Sequence, residues 1–590
     1  MFKKINAFLA ALTITATAAG MLPANAENNY SAPSANEQQT LPSKVDLSVD
    51  DAAFLSEVGD QGSTNSCVAF TTTYYQFTYE IRKAYYDKYG VVPAFTFSPK
   101  FIYNRINDGV DEGTMLTEAY ELIKELGAVT SNDVPFLTKD PYGNYKFDCT
   151  DQKATPEQLC KALTMQLKDY NPIRAYGDDD AKIRAIKEQL NAGKIVATTA
   201  YFNDDNGLDI RASANSDLGK CEKIIVQNLH LIKGSKMSHA FTVVGYDDDL
   251  EYFCNGKKYK GAFKIVNSWN EKWGNEGFIW VAYDSLKKDS QLGINYDKTI
   301  YERVPGLGGV SFNTNVVGYT IDVDINDIRL TAEADINTQK LSDIKLNVYE
   351  NSAPENNKII YNFSDNNKTN YEGSVVGDID SICGDDYFCG KTYTIEIKHN
   401  ALWLPAKTTV NYVALRDDLG QVVAKAEVAE GAESASVELN LQRGDVDYDG
   451  ELTYSDATMI REYVNTVSNH RRTSTRFSTL QRDLMDVNRD NKITVEDADI
   501  IEDQVDALIW AADGTYIGTD EVTNLEWNDI KGFWYFLDVN GRKVVNQFIY
   551  DARWNGSFFV DEKGRCIMNS TFTYDGKTYY ADENGVVTEI

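Results

Sequence analysis

The chain has 590 residues, with 89 acidic side chains against 58 basic ones and a net charge of −31. That balance excludes nucleic acid as a partner, because a phosphate backbone is gripped by a basic face; it suits solubility and divalent cations. The length predicts several domains, and after the N-terminus no stretch has the roughly 18 apolar residues that a membrane-spanning helix needs.

In chain order, Lys3 and Lys4 precede the small-residue apolar run 7–19, and Ala24-Asn25-Ala26 forms an A-x-A cleavage pattern. Residues 1–26 therefore read as a signal peptide and the mature protein as secreted and extracellular. Residues 27–40 are polar and aperiodic, a short disordered leader. From 41 to 305 the composition is globular. Phe70, Tyr74, Phe77 and Ile81 fall at i, i+4, i+7 and i+11, which predicts one face of a helix behind Cys67. Residues 116–126 predict a second amphipathic helix, stopped by Gly127. The apolar runs 240–246, 262–266 and 278–283 predict buried strands. Helices first and strands later predict an α+β fold of two subdomains packed face to face.

Export permits disulfides. Of the eight cysteines, sequence proximity suggests the pairs Cys149–Cys160, Cys221–Cys254 and Cys383–Cys389, although connectivity stays open at this level. Cys67 and Cys566 are then left over, and a leftover thiol in an exported protein is reactive or intermolecular.

A cysteine hydrolase needs a thiol whose pKa is brought down from about 8.5, a helix N-terminus and a histidine to do so, an amide facing the oxyanion and a polar group that fixes the imidazole tautomer. Each role has one candidate. Cys67 opens a helix, and Gln61 lies six residues upstream across a Gly-Ser turn. His239 begins one predicted strand and Asn267 ends another, with Trp269 beside it to exclude water. His230, in NLHLIKG, has no strand or cleft signal and reads as a surface residue.

Gln61-Gly62-Ser63 with Ser66-Cys67-Val68-Ala69-Phe70, Ser238-His239-Ala240 with Val243-Val244-Gly245-Tyr246, and Asn267-Ser268-Trp269 with Trp273-Gly274-Asn275-Glu276-Gly277-Phe278 occur in that order. Residues 41–300 thereby resemble the papain family of cysteine peptidases. The resemblance implies a papain-like fold over 41–305 that hydrolyses peptide bonds in a protein or peptide substrate without a catalytic cofactor. Cys67 would be the nucleophile, His239 the general base and then acid, and Asn267 its orienting partner; Gln61 and the Cys67 N–H would form the oxyanion hole. Gly113, Thr114 and Trp269 would line the substrate cleft. There are departures. Thr64 stands where the family has a half-cystine three residues before the nucleophile, and Asp111 stands near its usual partner. Val68 replaces a Trp and Thr114 a cleft glycine. The 28 residues from His239 to Asn267 include an Asp-rich insert. The roughly 14-residue leader leaves no room for the family's long inhibitory propeptide.

Residues 310–442 alternate apolar and polar with period two, as in 344–349, 392–397 and 435–441, and predict a β-sandwich. Residues 443–508 hold two loops spaced for calcium, which takes six to eight hard oxygen donors. The first offers Asp445, Asp447, Asp449, the Glu451 carbonyl, Thr453 and Asp456; the second offers Asp486, Asn488, Asp490, the Lys492 carbonyl, Thr494 and Asp497. Gly450 makes the tight turn in the first loop, and Asn491, which tolerates the left-handed conformation, replaces it in the second. Two loop–helix units in tandem, 41 residues apart, resemble a dockerin. This implies two structural calcium ions and a cohesin-bearing scaffold of a cellulosome-type, polysaccharide-degrading complex. Tyr454, Ser455, Val495 and Glu496 match the cohesin-facing positions, and they differ between the repeats.

Residues 533–590 repeat an F/Y-F/Y-x-D-x-x-G pattern at spacings of 23 and 21 residues, as fixed-period hairpins do. The repeats resemble cell-wall or choline-binding repeats, which would hold sugars or cations on aromatic faces; alternatively Trp534, Tyr535 and Phe558 pack between hairpins. The whole reads as a secreted papain-like cysteine endopeptidase carried on a dockerin. The alternatives are a catalytically silent peptide- or surface-binding protein of the same complex, and a protease-processing or transpeptidase enzyme on the same site.

Overall fold

The helix behind Cys67 is a rod buried on both sides. It opens over Cys67–Ala69, widens to a π-helix over Phe70–Phe77, and continues as an α-helix over Thr78–Tyr89, where Gly90 ends it with φ +70°. The widened segment splits the expected stripe. Phe70 packs with Tyr75 and Tyr79 into one core, while Phe77 and Ile81 enter another with Val68 and Ala69. The computed structural model describes residues 40–590 except 140–141, 143, 151–153, 202–208, 214–221, 230–237, 288–289, 291, 293–314, 340–343, 357, 363–370, 381–390, 400–407 and 469–475. The signal peptide, all but the last residue of the leader, His230, Cys221, Cys383 and Cys389 thus lie outside the described residues.

Two further helices, Pro99–Ile106 and Leu116–Leu126, pack on the Phe77 side of the rod. Ser98 caps the first by accepting the Phe101 N–H. Gly127 ends the second, where a Cβ would stand 2.0 Å from the Ala162 carbonyl oxygen.

On the other side lies a nine-stranded sheet. Its path runs Met165–Arg174, Val316–Ile325, Val196–Tyr201, Ser238–Cys254, Lys257–Val266, Phe278–Ala282, Lys223–Ile225 and Ile210–Ala212, with Lys44–Asp46 paired to Ser238–Cys254. The three apolar runs of the sequence become three adjacent central strands. The sheet also corrects a boundary. Val316–Ile325, expected in the 310–442 module, is inserted between two strands of this nine-stranded sheet. Val317 and Ile321 are fully buried there, and the Thr198 hydroxyl donates to the Val317 carbonyl at 2.8 Å.

The β-sandwich comprises two four-stranded sheets. One runs Tyr371–Asp378, Leu330–Thr338, Thr408–Asp417 and Val422–Glu427; the other runs Lys358–Asn362, Ile344–Glu350, Tyr393–His399 and Ser434–Leu439. Alternate residues such as Leu346, Val348, Ile395, Ile397, Val437 and Leu439 fill the core, as the period-two pattern requires. Leu330–Thr338 also faces helix Pro156–Leu163. Arg416 joins buried Glu333 to Glu157, and the Cys160 Sγ lies 3.0 Å from the Thr331 Oγ1. The expected Cys149–Cys160 bridge is therefore not made. Helix Pro156–Leu163 turns Cys160 into the domain interface, while Cys149 points its thiol at the Gly109 carbonyl at 3.6 Å, and both are free. Cys254 is likewise a buried free thiol.

Past the sandwich, helices Tyr454–Ser468 and Val495–Ile509 follow the two Asp-rich loops, with a short helix Thr479–Met485 between them. Leu480 and Leu484 of that short helix enter the sandwich core. The terminal hairpins are Trp527–Ile530 with Phe533–Phe536, Gln547–Asp551 with Gly556–Val560, and the three-stranded Ser570–Tyr574, Lys577–Ala581 and Val587–Glu589. The repeat region therefore begins at Trp527, upstream of the expected residue 533. Its aspartates are turn formers: Asp538, Asp561 and Asp582 each accept backbone N–H groups two and four residues on. Gly541, Gly564 and Gly585 supply φ near +80° in those turns, a conformation that costs glycine nothing. Tyr535 and Phe558 are buried between hairpins, whereas Trp534 is exposed.

Candidate active site and calcium loops

Strand register brings the candidate residues together. Thr242 pairs with Val266 in the antiparallel ladder, so one pleat further His239 and the Asn267 turn share the same end of the sheet. The His239 Nε2–H donates to the Asn267 Oδ1 at 2.7 Å, which leaves Nδ1 as the nitrogen with a lone pair. Trp269 lies over the imidazole, with centroids 4.7 Å apart, and Trp273 meets Trp269 edge-on at 5.2 Å. His239 is buried, which is the water exclusion expected of Trp269.

The loop that presents Cys67 is tied to the same turn. The Gln61 N–H donates to the Ser268 carbonyl at 2.8 Å, the Ser268 hydroxyl donates to the Gln61 Oε1 at 2.5 Å, and the Gln61 Nε2 donates to the Thr64 carbonyl at 2.7 Å. The Gln61 amide retains a second N–H for an oxyanion. The Tyr75 hydroxyl accepts the Gly59 N–H and donates to the Asn267 carbonyl, each at 2.9 Å. Sequence reasoning missed Ser268 and Tyr75 as positioning residues. Ser268 stands beside Asn267 in the motif, but nothing in the helix marks Tyr75. Gly277 is required here: with φ +87°, a Cβ would meet the Val58 Cγ1 at 2.3 Å, and its carbonyl accepts the Asn267 N–H at 3.1 Å.

The absent half-cystine pair is replaced by a polar clasp. The Asn65 N–H donates to the Asp111 Oδ1, and the Asn65 Nδ2 donates to the Asp111 carbonyl, both at 2.8 Å. The Tyr103 hydroxyl donates to the same Asp111 Oδ1 at 2.6 Å. Asp111→Ala removes two charge-assisted bonds and is expected to lower stability by about 1–3 kcal/mol, measured as a shift in urea midpoint at constant slope. Of the expected cleft residues, Gly113 is exposed with open space at its Cβ direction. Thr114 follows it, half-buried, with no hydrogen-bond partner for its hydroxyl.

Burial raises the Cys67 thiol above its ordinary value, while the backbone N–H groups of Ala240, Val68 and Cys67 pull it back. The Ala240 contact sets the thiol against the residue that follows His239. Burial lowers the His239 imidazole to about 4, opposed by Asn267. A histidine near 6.5 when unfolded and near 4 when folded binds its proton more readily in the unfolded chain. Stability therefore falls as pH drops from about 6.5 to 4, by roughly 3 kcal/mol from this group alone. His239→Gln is expected to flatten that part of the melting-temperature profile, whereas an unchanged acid slope would contradict it.

Both Asp-rich loops are folded around their own carboxylates. Asp445 accepts the Asp449 and Gly450 N–H groups, and Asp456 accepts those of Val446 and Thr453. Asp486 and Asp497 do the same for Asp490, Asn491, Val487 and Thr494. Gly450 and Asn491 have φ +87° and +62°, as the turn requires. Carboxylate oxygens of Asp445, Asp447 and Asp449 lie within 4.8 Å of one another. Burial and these neighbouring acids push Asp445 up to about 6, so the crowding favours a cation. A set of hard oxygen donors fits calcium.

Residues 41–300 match the papain family cysteine protease model. Residues 443–506 match the dockerin type I domain. The chain is 25% identical over 189 residues to the senescence-specific cysteine protease SAG12 of Arabidopsis thaliana, covering 32% of this chain and 43% of that protein. It is 22% identical over 267 residues to cysteine proteinase RD21A of the same plant, covering 43% and 45%. It thus spans less than half the length of these relatives. Among solved structures it is similar to xylellain, a cysteine protease from Xylella fastidiosa, with 19% identity, a TM-score of 0.30, and coverage of 48% of this chain and 87% of that one.

Proposed function

We propose that the protein is a secreted cysteine endopeptidase, in which Cys67 attacks the peptide carbonyl, His239 takes and returns the proton, Asn267 holds the imidazole, and Gln61 with the Cys67 N–H stabilises the oxyanion. The observation that carries this reading is the convergence at one sheet end: the His239 Nε2–H donates to the Asn267 Oδ1, and Cys67 packs against the core that holds Ala240, the next residue along the strand. A neutral thiol and imidazole favoured by burial are the one feature that fits the alternative, a silent peptide-binding domain. Labelling with a thiol-directed epoxide separates the two. Stoichiometric modification at Cys67 supports the enzyme; an unlabelled Cys67 in a folded protein overturns it.

The dockerin would bind two calcium ions, one per loop, and attach the enzyme to a cohesin-bearing scaffold of a polysaccharide-degrading complex. The exposed aromatics Trp534, Tyr550 and Trp554 support a weaker role for the terminal hairpins against cell-wall sugars. Chelation is expected to abolish cohesin capture and to lower the melting temperature, because the clustered carboxylates then repel without compensation; capture that survives chelator would contradict the ligand set.

A further inference from the structure

The two loop–helix units are alike in sequence but not in surroundings. At the first, Tyr454 stands at a position that the dockerin resemblance assigns to cohesin, yet it is only 4% exposed. What covers it is the chain's own C-terminus. The Phe533 ring meets the Tyr454 ring edge-on at 4.7 Å, and the Arg565 guanidinium sits 4.5 Å from the centroids of both rings. Arg565 is anchored by its Nη1 on the Glu502 Oε2 at 2.8 Å, and the Tyr454 hydroxyl donates to Asp506 and lies 3.4 Å from the Tyr535 hydroxyl. Dockerin and hairpin residues share one apolar core, running from Val446 and Ile460 to Ile530 and Leu537. Uncovering Tyr454 would expose those residues together and break the Arg565–Glu502 ion pair. The first loop is held from the opposite side as well, because the Tyr448 hydroxyl donates to the Asp417 Oδ2 of the sandwich at 3.1 Å.

In the second unit the hairpins reach the helix at Glu502 and Asp503 but leave its matching N-terminal positions open among the described residues. Val495, at the position matching Tyr454, is 43% exposed, and Glu496 beside it is exposed. Of the first pair only Ser455 reaches solvent.

We propose that the C-terminal hairpins are an intramolecular cover over the first repeat, and that the second repeat, through Val495 and Glu496, is the single face this chain offers to a cohesin. The proposal rests on the dockerin reading. It leaves one of the two repeats to the cohesin, and it gives the first hairpin a role inside the molecule.

The test uses the full calcium-loaded chain and, as probe, a purified cohesin module that the wild type captures from a panel, with affinity measured by calorimetry. Both variant sites are exposed, so folding is checked simply by an unchanged melt. Val495→Asp is expected to weaken binding by about thirtyfold or more, the scale of an interface hot spot, and Ser455→Arg to change it by no more than about twofold. Equal losses in both variants, or a loss confined to Ser455→Arg, overturn the single-face assignment. A wild type that captures no cohesin refutes the dockerin reading itself and is recognised before any variant is made. Independently, hydroxyl-radical footprinting should label Tyr454 about tenfold less than Tyr550, which is 63% exposed; equal labelling would remove the cover and the proposal with it.

Discussion

Replacing Cys67 by alanine should abolish peptide cleavage, a loss on the order of 10⁶-fold, the scale on which a nucleophile acts in a hydrolase triad. The substitution leaves everything else in place. The His239–Asn267 bond, the Gln61–Ser268 pair and the Tyr75 bridge do not involve the thiol, so the melting temperature should move little. Such a variant keeps an oxyanion hole and a base but has nothing for the base to activate. Proteolysis within tenfold of wild type in a peptide-library assay would exclude Cys67 as the nucleophile, and with it the role given to His239.

A chain truncated after residue 305, close to where the peptidase match ends, should not yield a folded domain. Truncation deletes Val316–Ile325 from the middle of the sheet and leaves Met165–Arg174 and Val196–Tyr201 without their shared neighbour. It also unseats the helix that begins at Cys67. Gln76, fully buried in the widened segment of that helix, donates to the Ile195 and Tyr319 carbonyls at 3.1 and 2.8 Å and accepts the Tyr120 hydroxyl at 2.5 Å. Losing a ten-residue internal strand with its ladder exceeds the roughly 5–15 kcal/mol that holds a typical domain together. The expected result is insoluble or molten protein, judged by soluble yield and the absence of a cooperative melt. A chain extended to residue 442 should restore both. A stable, active fragment ending at 305 would show that the strand is dispensable.

These two results bear on what could be read without coordinates. The strands at 240–246 and 262–266 were legible because a buried central strand is a short apolar run, and their antiparallel register follows from adjacency; His239 and Asn267 came with them. The Asp-rich loops were legible because each acidic position is local in sequence, so the turn from Asp445 to Asp456 needs no tertiary information. Val316–Ile325 was not. Its alternation fits a strand in either domain, and only the vacancy between two distant strands decides which sheet it joins. Cys160 was misassigned for the same reason: proximity to Cys149 says nothing of a helix whose buried face turns the thiol toward Thr331. Tyr454 shows a further limit. A position can be matched to a recognition role residue by residue, and a segment about 80 residues on can still occupy it.

The Asn65–Asp111 clasp has a practical side. A thiol enzyme must be kept reduced to stay alive, and strong reductant normally erodes the cystines that brace a secreted domain. Here the loop that presents Cys67 hangs on hydrogen bonds, and Cys67, Cys149, Cys160, Cys254 and Cys566 are all free. Reductant that keeps the Cys67 thiol free therefore leaves its mounting intact, and oxidant should reach the sulfur long before it disturbs the loop that holds it.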